Sequence, residues 1–206
     1  MKDTVLYNNE DILFVFSPDQ ADTGKEGLVL LKPNAHVPSD ERYEYIHYNE
    51  DFLSRLHYTL PSKTRKPERL MSYDQCLRLT DKILWGSLSF TSDGIPYTFG
   101  VNHILLENRL IFHGGRGYKV NGLGQRATFS VIEDLGVARI GTHNYNQVVY
   151  TGVLEEITDF DTKKKALLEI VRHVAPQHPY NDNMPDTTFM YELKIEFVSG
   201  KTHVFD

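Results

Sequence analysis

Residues 86–113 read GSLSFTSDGIPYTFGVNHILLENRLIFH, three apolar-alternating runs separated by Asp93-Gly94 and Glu107-Asn108. Asp-Gly suits a tight hairpin, whose two central residues need positive φ, so the stretch predicts three antiparallel strands in a meander. Working outward, "ATFSVIE" (127–133), "NQVVYTGVLEEI" (146–157) and "FMYELKIEFVSGK" (189–201) predict further strands. In the second of these, Val148, Tyr150, Gly152 and Leu154 share one face by period-two alternation. Two segments have helical spacing instead. In "SYDQCLRLTDKILW" (72–85), Tyr73, Cys76, Leu77, Thr80, Ile83 and Leu84 fall on one face, and Ser72 with Gln75 forms a capping-box pattern. In "DTKKKALLEIVRHVAP" (161–176), Ala166, Leu167, Ile170, Val171 and Val174 do the same before Pro176. The fold class expected is mainly β with flanking helices, an antiparallel, closed or partly closed barrel rather than a doubly wound parallel sheet.

Ahead of this block, "DILFVF" (11–16) and "GLVLLKP" (27–33) are strand-like. A basic run with prolines, "PSKTRKPER" (61–69), follows, and reads as a solvated linker or an anion-contacting arm. The boundary is placed there: 1–66 form an N-terminal extension without an assigned role, and 67–206 form the barrel domain. The chain has 206 residues and a formal net charge of -6, so its field repels nucleic acid and anionic membranes, and an anionic ligand has to be captured locally. Lys63, Arg65, Lys66 and Arg69 are not interleaved with stacking aromatics, which disfavours nucleic-acid binding. The start MKDTVLYNNED lacks a secretory pattern and no apolar run approaches a spanning helix, so neither secretion nor membrane insertion is expected. Cys76 is the single cysteine, consistent with a reducing, cytoplasmic setting and a packed thiol. The nine histidines show no ligand spacing, and no metal site is expected.

Directly after the meander comes FHGGRGYKVNGLG (112–124). A Walker loop needs Gly-Lys followed by Ser or Thr, but Tyr118 precedes Lys119 and Val120 follows it. The dinucleotide fingerprint fails where Val120 replaces its last glycine. A generic mechanism remains. Gly114, Gly115 and Gly117 allow main-chain N–H groups to approach an anion, and Lys119 and Arg116 supply charge. Read locally, the stretch is either a plain turn or a phosphate cradle, with Asn121 to Gly124 a structural helical turn.

Several motifs in order carry a resemblance: Arg69 before the first helix, Gly86 and Leu88, Gly94-x-Pro96-Tyr97, Asn102, and Phe112-His113 with Gly117 and Lys119, followed by "NYNQVVYTGVLEEITD" and "IEFVSGK". Across roughly 67–205 the chain resembles the FMN-binding split β-barrels of the pyridoxamine 5'-phosphate oxidase-like superfamily, most of all the 5-nitroimidazole-resistance proteins. The resemblance implies a split barrel with non-covalent FMN at a homodimer interface. It places the phosphate on Lys119 and the backbone of Gly114, Gly115, Arg116, Gly117 and Tyr118, with Phe99, Gly100, Val101, Asn102 and His103 running along the flavin ring. Gln147 stands where the resistance proteins usually have serine and looks like the Gln-Val strand of true pyridoxamine phosphate oxidases. It is therefore carried as a flavin contact from the other subunit.

His103 reads as a hydrogen-bonded strand residue or a cofactor neighbour. His113, beside the cofactor by resemblance, is the candidate catalytic proton donor, with a pKa expected near neutrality. Trp85 and Tyr97 are core aromatics or ring-pocket walls. Two functions follow: an FMN-dependent oxidoreductase acting on a small acceptor such as a nitro-aromatic, or a non-catalytic flavin- or haem-binding protein on the same fold.

Overall fold

The structure is a computed structural model that describes residues 12–16, 25, 27–32, 34–47, 69–106 and 109–205. The expected Glu107-Asn108 turn and residues 61–68 of the basic run lie outside the described residues. Backbone contacts divide the chain into two compact units, one of residues 1–80, 131–150 and 196–206, the other of residues 81–130 and 151–195.

The first unit carries a three-stranded sheet, β1 (Ile12–Phe16), β2 (Gly27–Leu31) and β3 (Tyr43–His47), with β1–β2 antiparallel and β2–β3 parallel. β1 and β2 match the two apolar runs of the sequence. β3, YEYIH, is not expected from sequence because its five residues mix polar and apolar types without a clear alternation. The unit also holds helix α1 (Tyr73–Lys82). Its N-terminus is the expected capping box: Ser72 N–H donates to Gln75 Oε1 at 2.7 Å, and Gln75 N–H donates to Ser72 Oγ at 3.2 Å. Tyr73, Cys76, Leu79 and Thr80 are its buried residues. Ile83 and Leu84, expected on the helix face, follow its last turn instead, because the chain straightens to enter the next strand. Thr80 Oγ1 lies 2.9 Å from the Cys76 carbonyl and 2.7 Å from the buried Tyr150 hydroxyl, so a polar pair is satisfied inside the core. Burial pushes the Cys76 thiol well above its ordinary pKa, which makes it a packed, protonated thiol.

Strands β4 (Trp85–Ser92), β5 (Ile95–Leu106), β6 (Arg109–Gly114), β7 (Arg126–Val137), β8 (His143–Glu156) and β9 (Phe189–His203) close into a barrel in the order β4-β5-β6-β9-β8-β7. The β4–β5 hairpin turns at Asp93 (φ +51°) and Gly94 (φ +75°), the two positive values the Asp-Gly pair predicts. Val148, Tyr150, Gly152 and Leu154 are all buried, in agreement with their alternation.

In the second unit, Phe112 packs between Phe129 and Tyr191, with ring centroids 5.1 and 5.3 Å away. Helix α2 (Phe160–Val174) starts at Asp159, whose carboxylate accepts from Thr162 N–H at 2.8 Å. It lays Ala166, Leu167 and Ile170 on Ile104, Ile111 and Met190. A one-turn helix, α3 (Met184–Thr187), precedes β9.

Gly152 marks the closest backbone approach in this unit. A Cβ there would stand 1.9 Å from the Lys194 carbonyl oxygen. Gly152→Ala is expected to destabilise the fold by about 1–3 kcal/mol or more, read as a lower urea midpoint at unchanged slope.

Candidate functional site

At the end of β6 the chain passes through Gly114, Gly115 and Arg116 into a 3₁₀ helix, Gly117–Gly122. Gly117 enters it with φ +38°, a left-handed conformation that a side chain would strain. Lys119 N–H donates to the Arg116 carbonyl at 3.1 Å and Leu123 N–H donates to the Val120 carbonyl at 3.2 Å. The helix rests on β4 and β5. Tyr118 stacks on Tyr97 with centroids 6.1 Å apart, Asn121 Nδ2 donates to the Tyr97 hydroxyl at 3.4 Å, and a Cβ at Gly122 would meet the Phe90 ring at 2.6 Å. The Asn121–Gly124 segment is thus structural, as its sequence suggests.

This docking fixes where Lys119 points. Its Nζ is 3.6 Å from the place a Gly114 Cβ would occupy and 5.3 Å from the Phe99 ring centroid. Lys119 is half-buried, and no carboxylate pairs with it among the described residues. Arg116 is placed differently. Its Nη2 donates to Glu156 Oε1 at 2.6 Å and its guanidinium lies over the Phe189 ring, 5.0 Å from the centroid.

β5 alternates its faces. Gly100 is exposed with nothing within 4 Å of a Cβ position, whereas Val101 and His103 are buried. The His103 ring meets Phe129 edge-on at 4.7 Å, so its side chain belongs to the core and only its main chain is available to a ligand on the Gly100 face. Asn102 Nδ2 donates to the Leu84 carbonyl at 3.1 Å. Because His103 pairs with Phe112, Asn102 and His113, one step further along each strand, stand on the same face as Gly100. The structure therefore gathers Gly100, Asn102, His113, Gly114 and Lys119 around the end of β6. Gln147 is half-buried on β8 in the first unit.

His113 is half-buried, and its pKa is held below the ordinary 6.5, first by burial and then by the Lys119 charge. The near-neutral value expected from sequence is corrected accordingly: with no anion beside Lys119, His113 is mostly the neutral imidazole at pH 7. Glu156 and Phe189, which hold Arg116, were not legible in the sequence, because they come from distant strands and carry no local motif.

The loop fits a phosphate: it has a half-buried cation without a carboxylate partner among the described residues, and main-chain N–H groups around glycines. The open space over Gly100 fits a flat ring against the strand. Tyr97 also lines a groove of about 500 Å³ with Ser89, Thr98, Arg126, Thr128 and Thr151. Among the described residues no group of three His, Cys, Asp or Glu is placed to hold a metal, and no helix is long and apolar enough to cross a membrane.

A family model described as pyridoxamine 5'-phosphate oxidase matches residues 72–202. The chain belongs to this family. The match spans the helix α1, the barrel strands and the glycine loop, and so covers the whole candidate site. Solved structures similar to this family member include the flavocytochrome Anf3 from Azotobacter vinelandii (20% identity, TM-score 0.57, covering 69% of this chain and 73% of that one). Others are an FAD- and heme-binding protein from Mycobacterium smegmatis (19%, TM-score 0.56, 65% and 72%) and a putative 5-nitroimidazole antibiotic resistance protein from Bacteroides thetaiotaomicron (18%, TM-score 0.53, 65% and 86%). At such identities these likenesses establish the split-barrel fold. No curated protein matches the chain.

A proton titration of His113 by NMR should give a pKa below 6.5 that rises when inorganic phosphate is added, since an anion on Lys119 offsets the charge opposing protonation. A value unmoved by saturating phosphate would remove Lys119 as the anion site. The depressed pKa also means that the folded state binds fewer protons than the unfolded chain. The stability His113 contributes is full above its unfolded pKa and declines as the pH falls toward the folded value.

Proposed function

We propose that this chain binds FMN on the 114–119 loop and acts as an FMN-dependent oxidoreductase toward a small acceptor, nitro-aromatics such as 5-nitroimidazoles being the class to test first. One observation carries the reading: Lys119 is a half-buried cation with no carboxylate partner among the described residues, folded over Gly114 at the strand end. Lys119 and the backbone of Gly114, Gly115, Arg116, Gly117 and Tyr118 hold the phosphate. The main chain of Phe99, Gly100, Val101, Asn102 and His103 lies along the ring. When bound, the flavin supplies electron and hydride transfer, and the protein supplies position and electrostatics.

His113 acts as the proton donor to the reduced acceptor. Burial is the larger cause of its lowered pKa and the Lys119 charge the smaller, so a phosphate on Lys119 relieves the smaller one and favours protonation of His113 when the site is filled. The groove beside Tyr97 has room for a small acceptor. In the proposed homodimer the second copy completes the flavin site and contributes Gln147. Ile132, Val137 and Ile140, exposed by 56, 66 and 61% in the first unit, supply an apolar surface for it.

A second reading keeps the fold and drops turnover, with a flavin or haem held for another purpose. It draws on a half-buried, neutral His113 and on the flavocytochrome and the FAD- and heme-binding protein among the similar structures.

The absorbance spectrum of the purified protein separates the two. Two flavin bands, bleached on anaerobic reduction and restored by a nitroimidazole, are the expected result. A haem Soret band favours the second reading, and a reduced flavin left unoxidised by the nitroimidazole removes the nitroreductase assignment. Lys119→Ala should weaken FMN binding by about 1.5–3 kcal/mol, the scale of a charged hydrogen bond. An unchanged fluorescence titration would exclude Lys119 from the site.

A further inference from the structure

We propose that Glu156 is a positioning residue of the phosphate loop: by holding Arg116 against Phe189, it fixes the 3₁₀ helix so that Lys119, and not Arg116, stands as the cation over Gly114. The proposal rests on the flavin reading for its ligand but on the geometry of the loop for its mechanism.

The loop has little else to hold it at its start. A Cβ built at Gly115 or Gly117 would meet nothing within 4 Å, so these residues contribute no packing, and Arg116 between them is the one side chain there. That side chain is gripped from two strands. Glu156 on β8 approaches to 2.6 Å, and Phe189 on β9, whose ring lies under the guanidinium, is also the register partner of Gly114.

The same residue's carbonyl accepts the Lys119 N–H at 3.1 Å, so fixing Arg116 fixes the turn that aims Lys119. Glu156 has 25% of its side chain exposed against 65% for Arg116, which makes the carboxylate the more rigid member of the pair. A plain charge role has the opposite sign: a carboxylate near a phosphate site repels the ligand and keeps a competing arginine away from it.

The test uses Glu156→Gln and Arg116→Met, the latter keeping an apolar stem over Phe189 while removing the ion pair from the other side. Positioning predicts that both variants weaken FMN binding, by about fivefold given the partial exposure of the pair. It also predicts that neither change weakens binding by more than about twofold in a Lys119→Ala background, since Lys119 is the group being aimed. Tighter FMN binding by Glu156→Gln together with weaker binding by Arg116→Met would overturn the proposal and make Arg116 a direct phosphate ligand.

A readout without flavin settles the case in which the wild-type chain takes up no FMN, an outcome that refutes the flavin reading alone. In the apo protein, a loosened Lys119 lets the His113 pKa rise in Glu156→Gln, and hydrogen exchange at the Lys119 amide accelerates. A His113 pKa and a Lys119 amide exchange rate that are both unchanged in Glu156→Gln contradict positioning.

Discussion

A lysine ammonium held partly out of water with no carboxylate beside it among the described residues is an unbalanced charge, and the candidate site is organised around that imbalance. Desolvating a cation has a cost that an opposite charge normally offsets. At Lys119 the offset found among the described residues is weak, the face of Phe99. Glu156, which anchors the start of the same loop, is committed to Arg116. An anion arriving over Gly114 meets a cation whose direction is already set, so little ordering remains to oppose binding.

The barrel supplies the rigidity this requires. The 3₁₀ helix cannot drift from β4 and β5 while Gly122 sits against Phe90 and Tyr118 against Tyr97, and these aromatics are in turn part of a row with Phe99. Helix α2 covers the same face of β5 and β6 further along, at Ile104 and Ile111, which leaves that face open at Gly100 and packed beyond Asn102 and His113. The site therefore lies where the sheet stops being covered.

Local signals in the sequence carried most of this. Alternation and the Asp93-Gly94 turn gave the hairpin, Ser72 with Gln75 gave the start of α1, and the buried face of β8 was legible residue by residue, because each depends on neighbours within a few positions. What escaped the sequence depends on distant partners. Whether His103 faces ligand or core is decided by Phe129, and the pairing of Arg116 with Glu156, forty positions away, has no local signal. β3 escaped because five residues of mixed polarity become a strand only beside β2. The environment of His113 likewise follows from burial and from the fold of Lys119 over Gly114, neither of which spacing reveals.

The most direct measurement is an experimental structure of the protein crystallised with FMN. The expected result has the phosphate within about 2.7–3.2 Å of Lys119 Nζ and of main-chain N–H groups between Gly114 and Tyr118, the ring against the strand at Gly100, and Arg116 still on Glu156. A flavin bound elsewhere on the chain, or a phosphate held by Arg116 with Lys119 turned to solvent, would contradict the account.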